Sequence, residues 1–96
     1  MDGLNRFDVI EHRGVPMVVI ESNLLPPDAT VVVIPLLSDY PVVRHLNPQI
    51  VVQGRHLILA TRLIVAVRRS RMKKLGNVAE QGEKITRAVD VLMSGI

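Results

Sequence analysis

The side chains that could do chemistry are few and widely spaced in this sequence. It holds three histidines, His12, His45 and His56, and no cysteine, so a thiolate nucleophile and a thiolate metal site are both excluded. The histidines lack the spacing of metal ligands, and no GxSxG, HExxH or glycine-rich phosphate loop accompanies them. We therefore expect no metal, no cofactor and no catalysis, which favours a binding protein.

Two groupings of polar residues nevertheless keep a nuclease open. Asp39 with His45 could form a ribonuclease-like site, and so could His56 with Arg55 and Arg62. Either grouping needs the fold to bring its members together. A single histidine in a small, strand-rich domain is more often structural or solvated, and this is our expectation for all three.

Basic residues are concentrated in one third of the chain. The formal net charge is +3 and the pI about 10.0. The basic residues between positions 55 and 74, with no acid among them, are Arg55, Arg62, Arg68, Arg69, Arg71, Lys73 and Lys74. Such a block attracts nucleic acid or an acidic peptide. Because no aromatic residue lies within it to stack bases, single-stranded nucleic acid is disfavoured. A solvated surface is the alternative interpretation.

The composition predicts an aliphatic, strand-rich core. Hydrophobic residues make up 48% of the 96 residues, yet there is one Phe, one Tyr and no Trp, so Val, Ile and Leu must form the core. We expect one domain spanning residues 1–96 and a homodimer that buries part of this aliphatic surface. The acidic start resembles no signal peptide, and no uncharged stretch approaches the ~20 residues of a membrane span. A cytoplasmic protein is expected.

The apolar segments predict strands separated by Pro and Gly breaks. The predicted strands are residues 6–12, 16–22, 30–34, 49–53 and 55–61. Turns are expected at Arg13-Gly14 and at Gly54, and Pro35 is expected to end or bulge the third strand. Residues 63–67 fit a strand or a helical turn, and residues 75–77 read as a break. The continuous apolar run in the second strand indicates burial on both faces or against a partner.

The last seventeen residues, 80–96, predict an amphipathic helix. Ile85, Ala88, Val89 and Leu92 recur at i, i+3, i+4 and i+7. Gly95 follows where a helix needs a residue that tolerates left-handed geometry. Short strands followed by one helix predict an α+β fold, mainly β, in which a small barrel or curled sheet carries a C-terminal helix.

Residues 23–28 contain two prolines and an Asp, and this break leaves Leu24 and Leu25 adjacent in a loop. The expected role of the two leucines is to plug the core from that loop. The functional alternative is an exposed apolar patch for a partner.

Four segments together resemble the CcdB family of bacterial toxins. FDVIEHRG near the start resembles the family's first strand and turn, and VVVIPL at 31–36 resembles its V-I-P-L strand. LILAT at 57–61 precedes an apolar and basic segment and then Leu75-Gly76. ITRAVDVLMSGI at the end resembles the family's closing helix with its terminal Gly-Ile. The likeness spans nearly the whole chain, in the same order and spacing.

The resemblance implies a dimeric, SH3-like curled sheet that binds rather than catalyses. It implies the toxin of a toxin–antitoxin pair that attacks the A subunit of DNA gyrase and traps it on cleaved DNA. Carried over by position, the gyrase-binding residues are Leu24, Leu25, Asp90, Met93, Ser94, Gly95 and Ile96. The expected antitoxin is a small protein with a flexible acidic tail. Its candidate contacts in the basic block are Arg62, Arg68, Arg69 and Arg71.

Two other functions stay open. Family toxins carry an aromatic pair before Gly-Ile, including a Trp that anchors in gyrase, where this chain has Met93 and Ser94. Loss of such an anchor is worth ~2–4 kcal/mol of binding, which leaves a non-toxic binding module of the same fold as an alternative. The other alternative is an endoribonuclease, because the MazF and Kid toxins share this fold and cleave RNA. Membrane and direct nucleic-acid binding are not expected.

Overall fold

The computed structural model describes residues 3–69 and 72–95 as a curled, antiparallel half-barrel sheet with one C-terminal helix. The elements, in chain order, are β1 (Asp8–His12), β2 (Val15–Val19), β3 (Thr30–Leu37), β4 (Gln49–Val52), β5 (Arg55–Leu59), β6 (Val65–Arg68), β7 (Lys73–Asn77) and α1 (Gly82–Ser94). Two short 3-10 turns, Thr61–Leu63 and Ala79–Gln81, precede β6 and α1. The predicted mainly-β fold with a C-terminal helix is confirmed.

Two tight hairpins set the register of the sheet. Arg13 and Gly14 have φ values of 52° and 80° and join β1 to β2, with His12 opposite Val15. Gln53 and Gly54 have φ values of 50° and 76° and join β4 to β5. Positive φ at both central residues is the type I′ geometry, which matches the twist of the flanking strands. Both predicted turns are confirmed, although Gln53 belongs to the turn and not to β4.

Strand β3 lies at the centre and pairs with three others. It pairs with β2 through residues 33–35, with β6 through residues 30–33, and with β5 through Leu36 and Leu37. The prediction that Pro35 ends or bulges this strand was wrong. Pro35 lies where the ladder changes from β6 to β5, so its missing N–H removes no regular bond. Its carbonyl still accepts a hydrogen bond from the Ala60 N–H at 2.9 Å.

The segment between β5 and α1 contains more β-strand than the sequence predicts. The fifth strand ends at Leu59 and not at Thr61, and residues 63–67 divide between the Thr61–Leu63 turn and β6. The break expected at residues 75–77 is instead part of β7, which pairs with β1 around a bulge. The composition of β7, KKLGN, has little β propensity, so pairing with β1 determines its conformation.

Helix α1 is preceded by a 3-10 turn and begins at Gly82, later than the predicted start at residue 80. Gly82 is buried against Phe7, and a Cβ there would lie 2.8 Å from the Phe7 Cε2 atom. The predicted apolar stripe is confirmed, because Ile85 and Ala88 are buried and the two other residues are partly buried. Gly95 is left-handed at φ 75° and donates its N–H to Val91 O at 2.8 Å, which confirms the predicted stop.

Both faces of the sheet are buried. One cluster of aliphatic side chains packs against α1, including Val9, Val18 and Ile85. A second cluster on the opposite face includes Ile10, Met17 and Val19. Neighbouring residues of β2 therefore enter different clusters, which confirms the expected two-sided burial of this strand. In the described ranges, no helix is long and apolar enough to cross a membrane.

Candidate functional site

The two adjacent leucines project into solvent. The exposed fraction is 94% for Leu24 and 56% for Leu25, so the expectation that they plug the core was wrong. The Ser22 hydroxyl accepts the Leu24 N–H at 3.1 Å, and the Ser22 carbonyl accepts the Leu25 N–H at 3.2 Å. These bonds turn the backbone outward after β2. The loop is also joined to the start of the chain, because Asn23 Oδ1 accepts the Arg6 N–H at 2.8 Å.

The far end of this loop is fixed by Asp28. Its carboxylate accepts a hydrogen bond from the Thr30 hydroxyl at 3.0 Å and from the Thr30 N–H at 3.4 Å. These hydrogen bonds, the hydroxyl bond first, lower the pKa of Asp28 below its ordinary value. The exposed leucines thus lie on a loop that is anchored at both ends.

The end of α1 presents another exposed apolar side chain. Met93 has an exposed fraction of 77%. Ser94 turns its hydroxyl back and donates it to the Asp90 carbonyl at 2.6 Å, so this side chain closes the helix. Asp90 and Gly95 are exposed as well. Ile96, the last of the carried-over gyrase-binding residues, lies outside the described residues.

Asp90 also lines a groove of about 860 Å³ between α1 and the chain before β4. His45 and Pro48 form one wall, and the α1 side chains, including Arg87, form the other. Arg87 Nη1 lies 3.3 Å from His45 Nδ1. Because a guanidinium only donates, a hydrogen bond at this contact requires Nδ1 as the acceptor. The sequence did not predict this contact, because the two residues are 42 positions apart.

Among the described residues, no hydrogen bond joins the members of either ribonuclease-like grouping. The ring of His45 contacts Arg87, and no hydrogen bond joins it to Asp39 within residues 3–69 and 72–95. Arg55 and His56 are consecutive residues of β5, so their side chains point to opposite faces. Arg62 lies in the 3-10 turn after that strand. The geometry therefore offers no assembled acid–base pair at these positions.

The basic block is partly neutralised by acids that are distant in the sequence. Arg69 pairs with Glu21 at 3.1 Å and donates from Nε to the Thr30 carbonyl at 3.1 Å. Lys74 pairs with the buried carboxylate of Asp8 at 3.3 Å. Arg62 and Arg68 are exposed, whereas Arg71 lies outside the described residues. The positive field of this block therefore comes from fewer side chains than the sequence suggests.

Comparison with known proteins gives one family. The family model described as CcdB protein matches residues 6–95, a range that contains every strand and the helix. No curated protein matches the chain. The family match covers nearly the whole chain, and the curled antiparallel sheet with its closing helix agrees with the fold that the sequence resemblance implies. The chain therefore belongs to the CcdB family.

Proposed function

We propose that this protein is a CcdB-type toxin that binds the A subunit of DNA gyrase and holds the enzyme on cleaved DNA. The toxin acts by binding, and it catalyses no reaction. The observation that carries the proposal is the exposure of Met93, at 77%, at the end of a helix whose other apolar residues are buried or partly buried. The exposed side chain is therefore available to a partner at a fixed end of the fold.

The proposed docking surface consists of Asp90, Met93, Ser94, Gly95 and Ile96 together with Leu24 and Leu25. Full burial of a Met or Leu side chain stabilises a complex by roughly 1.5–3 kcal/mol. Met93 and Leu24 are nearly free of contacts with their own subunit, so most of this area is available to a partner. The anchored loop and the packed helix fix the backbone at both residues, which limits the backbone entropy lost on binding.

The test is growth arrest in a bacterium, together with gyrase-dependent DNA cleavage by the purified protein. Met93→Ala or deletion of Ile96 is expected to abolish arrest and cleavage without unfolding the protein. Val42→Ala is the matched control, because Val42 is also exposed, at 65%, but lies outside the proposed surface. Full toxicity of both the Met93 and Ile96 variants would refute the site assignment. Cleavage of RNA by the pure protein would replace gyrase poisoning with a nuclease.

A non-toxic binding module is the second candidate, and Ser94 favours it. The Ser94 side chain is small and turned towards Asp90 O, so it offers no buried anchor of the kind that a Trp supplies. Under this candidate, induction of the protein leaves growth unchanged while the fold and any partner binding persist. Induction therefore separates the two functions in one experiment.

We also propose that the protein is a cytoplasmic homodimer neutralised by a small antitoxin with an acidic tail. Exposed apolar side chains outside the docking surface, such as Val43 and Val51, support an interface between subunits, and two-fold dimers are the commonest assembly. The positive formal charge supports an acidic partner. Sedimentation equilibrium tests the dimer, and rescue of arrested growth by a neighbouring small gene tests the antitoxin.

A further inference from the structure

We propose that the outer edge of β6, residues Val65–Arg68, binds an extended acidic segment of a partner protein as an added strand. The inference deepens the proposed function, because the partner would be the antitoxin. Only the identity of the partner rests on that function. The backbone of β6 supplies the hydrogen bonds, and the flanking arginines supply the preference for acidic residues.

The register shows which backbone groups of β6 are free. Arg69 donates its N–H to the Ala29 carbonyl at 3.1 Å, and Val67 and Val65 lie opposite Val31 and Val33. In an antiparallel ladder, hydrogen-bonded pairs alternate with non-bonded ones. The odd-numbered residues of β6 therefore bond to β3, and the N–H and C=O of Ala66 and Arg68 point away from it. Among the described residues no strand pairs with this side of β6.

At both ends of the sheet, in contrast, side chains bond to backbone groups of the end strand. The outward N–H and C=O of Val51 in β4 both bond to the side chain of Gln81, and Lys84 reaches the Gln49 carbonyl at 3.5 Å. At the opposite end of the sheet, Gln53 donates to the Leu75 carbonyl of β7 at 2.8 Å. Unpaired edges invite other chains. Side chains of this protein thus occupy backbone groups of β4 and one carbonyl of β7, whereas among the described residues the outward groups of Ala66 and Arg68 have no hydrogen bond.

The side chains around the open edge fit an extended acidic strand. Leu63 and Val65 are 46% and 45% exposed and supply apolar contact area. Arg62 and Arg68 lie before and at the end of β6, are both exposed, and have no ion pair within the described ranges. A second copy of this chain would bring the same two arginines to the edge and add positive charge to positive charge. Carboxylates from another protein complement them.

The experiment uses a fluorescent, end-capped peptide in which valine alternates with aspartate and glutamate. Its binding to the full-length protein is followed by fluorescence anisotropy. We expect Ala66→Pro to weaken binding at least about tenfold, which corresponds to ~1.4 kcal/mol, because proline removes an outward N–H and no bond to β3. Raising the salt from about 50 to about 500 mM should weaken binding further by screening.

Charge variants provide an independent test. The double change Arg62→Glu and Arg68→Glu should also weaken binding at least about tenfold. Arg55→Glu is the control for one charge reversal, because Arg55 is an exposed arginine of β5, and it should change binding less than twofold. Arg62→Glu alone makes the same change of charge as Arg55→Glu, and it should weaken peptide binding clearly more than this control does. If Ala66→Pro fails to fold, as judged by circular dichroism, the charge variants decide.

Several outcomes would overturn the proposal. One is that the peptide fails to bind the wild-type protein, and another is that the folded Ala66→Pro variant binds it as tightly as the wild type does. The third outcome is that Arg55→Glu and Arg62→Glu weaken peptide binding by the same factor. A dimer that Ala66→Pro dissociates and the peptide does not affect would assign the edge to a second copy instead. The peptide assay involves no gyrase, so a protein that fails to poison gyrase can still pass it, and the two failures remain distinguishable.

Discussion

The side-chain amide of Gln81 bonds to both backbone groups of Val51. Its Oε1 accepts the Val51 N–H at 2.9 Å, and its Nε2 donates to the Val51 carbonyl at 2.8 Å. An amide has the same donor and acceptor as a peptide unit, so Gln81 substitutes for one residue of an additional strand. The turn before α1 is thereby tied to the edge of β4.

Gln81→Ala should therefore lower the free energy of unfolding by about 1–2 kcal/mol, because two hydrogen bonds are lost at a partly solvated edge. Urea unfolding measures the effect. Gln49→Ala is the control. Gln49 is an exposed residue of the same strand, and its bond to Lys84 uses the backbone carbonyl, which alanine keeps. Equal stability of the Gln81→Ala variant and the wild type would show that water replaces the amide without loss.

Gly82→Ala tests the packing of Phe7 on the helix start. Alanine favours a helix over glycine by ~1 kcal/mol, but its Cβ would lie 2.8 Å from Phe7 Cε2 and 3.0 Å from Cζ. The Phe7 backbone cannot shift to relieve this contact, because its N–H and C=O bond to Val19 and Val78 at 2.7 and 2.9 Å, so the ring must leave its rotamer or α1 must move. We expect a net loss of about 1–2 kcal/mol from overpacking.

The cause of that loss can be isolated by a double-mutant cycle. In a Phe7→Leu background the smaller side chain vacates the contact, so Gly82→Ala should be neutral or stabilising there. Thermal and urea unfolding of the four proteins give the coupling energy. An equal cost in both backgrounds would place the strain elsewhere than at Phe7.

The buried carboxylate of Asp8 fastens β7 to the start of β1. It accepts hydrogen bonds from the Asn5 N–H at 2.7 Å and from Asn77 Nδ2 at 2.9 Å, and it pairs with Lys74 at 3.3 Å. Asp8→Ala should cost roughly 3 kcal/mol, because polar partners remain without an acceptor. Asp39→Ala, at an exposed position, should leave urea unfolding almost unchanged. Similar midpoints for the two variants would contradict the role of Asp8.

Asp28 supplies a prediction about pH. Because hydrogen bonds from Thr30 lower its pKa in the folded state, ionised Asp28 stabilises the fold. That stabilisation is present above the unfolded pKa, ~3.9, and is lost as the pH falls through the lower folded pKa. Thr30→Val, which keeps the β-branched shape, should raise the Asp28 pKa towards its ordinary value in an NMR titration. An unchanged Asp28 pKa would refute the hydroxyl as the main cause.

The sequence predicted those elements whose local signals are strong. Gly14, Gly54 and Gly95 each mark a turn or helix end and adopt positive φ where expected. Strand β7 was missed, because Lys73–Asn77 has no β pattern and owes its conformation to pairing with β1. The start of α1 was misplaced by two residues, because Ala79–Gln81 forms a 3-10 turn that the residue pattern does not distinguish from a first helical turn.

The candidate site was predicted by matching positions to the family that the sequence resembles, and not from hydrophobic periodicity or composition. Leu24 and Leu25 have the composition of core residues, and only the turn held by Ser22 shows that they face solvent. The contact of Arg87 with His45 and that of Arg69 with Glu21 join residues more than 40 positions apart. Periodicity and composition contain no information about such pairs, so they emerge only from the three-dimensional structure.

The two-sided burial of β2 has a consequence for how this chain can go wrong. Met17, Val18 and Val19 are all apolar and all buried. A shift of the β2 register by one residue would therefore move each of them from one apolar cluster to the other, at little cost in transfer free energy. The alignment is thus chosen by the corner at Arg13 and Gly14. When that turn is disrupted, burial of apolar area does not by itself restore the native register, so a compact state with shifted pairing competes with the native one.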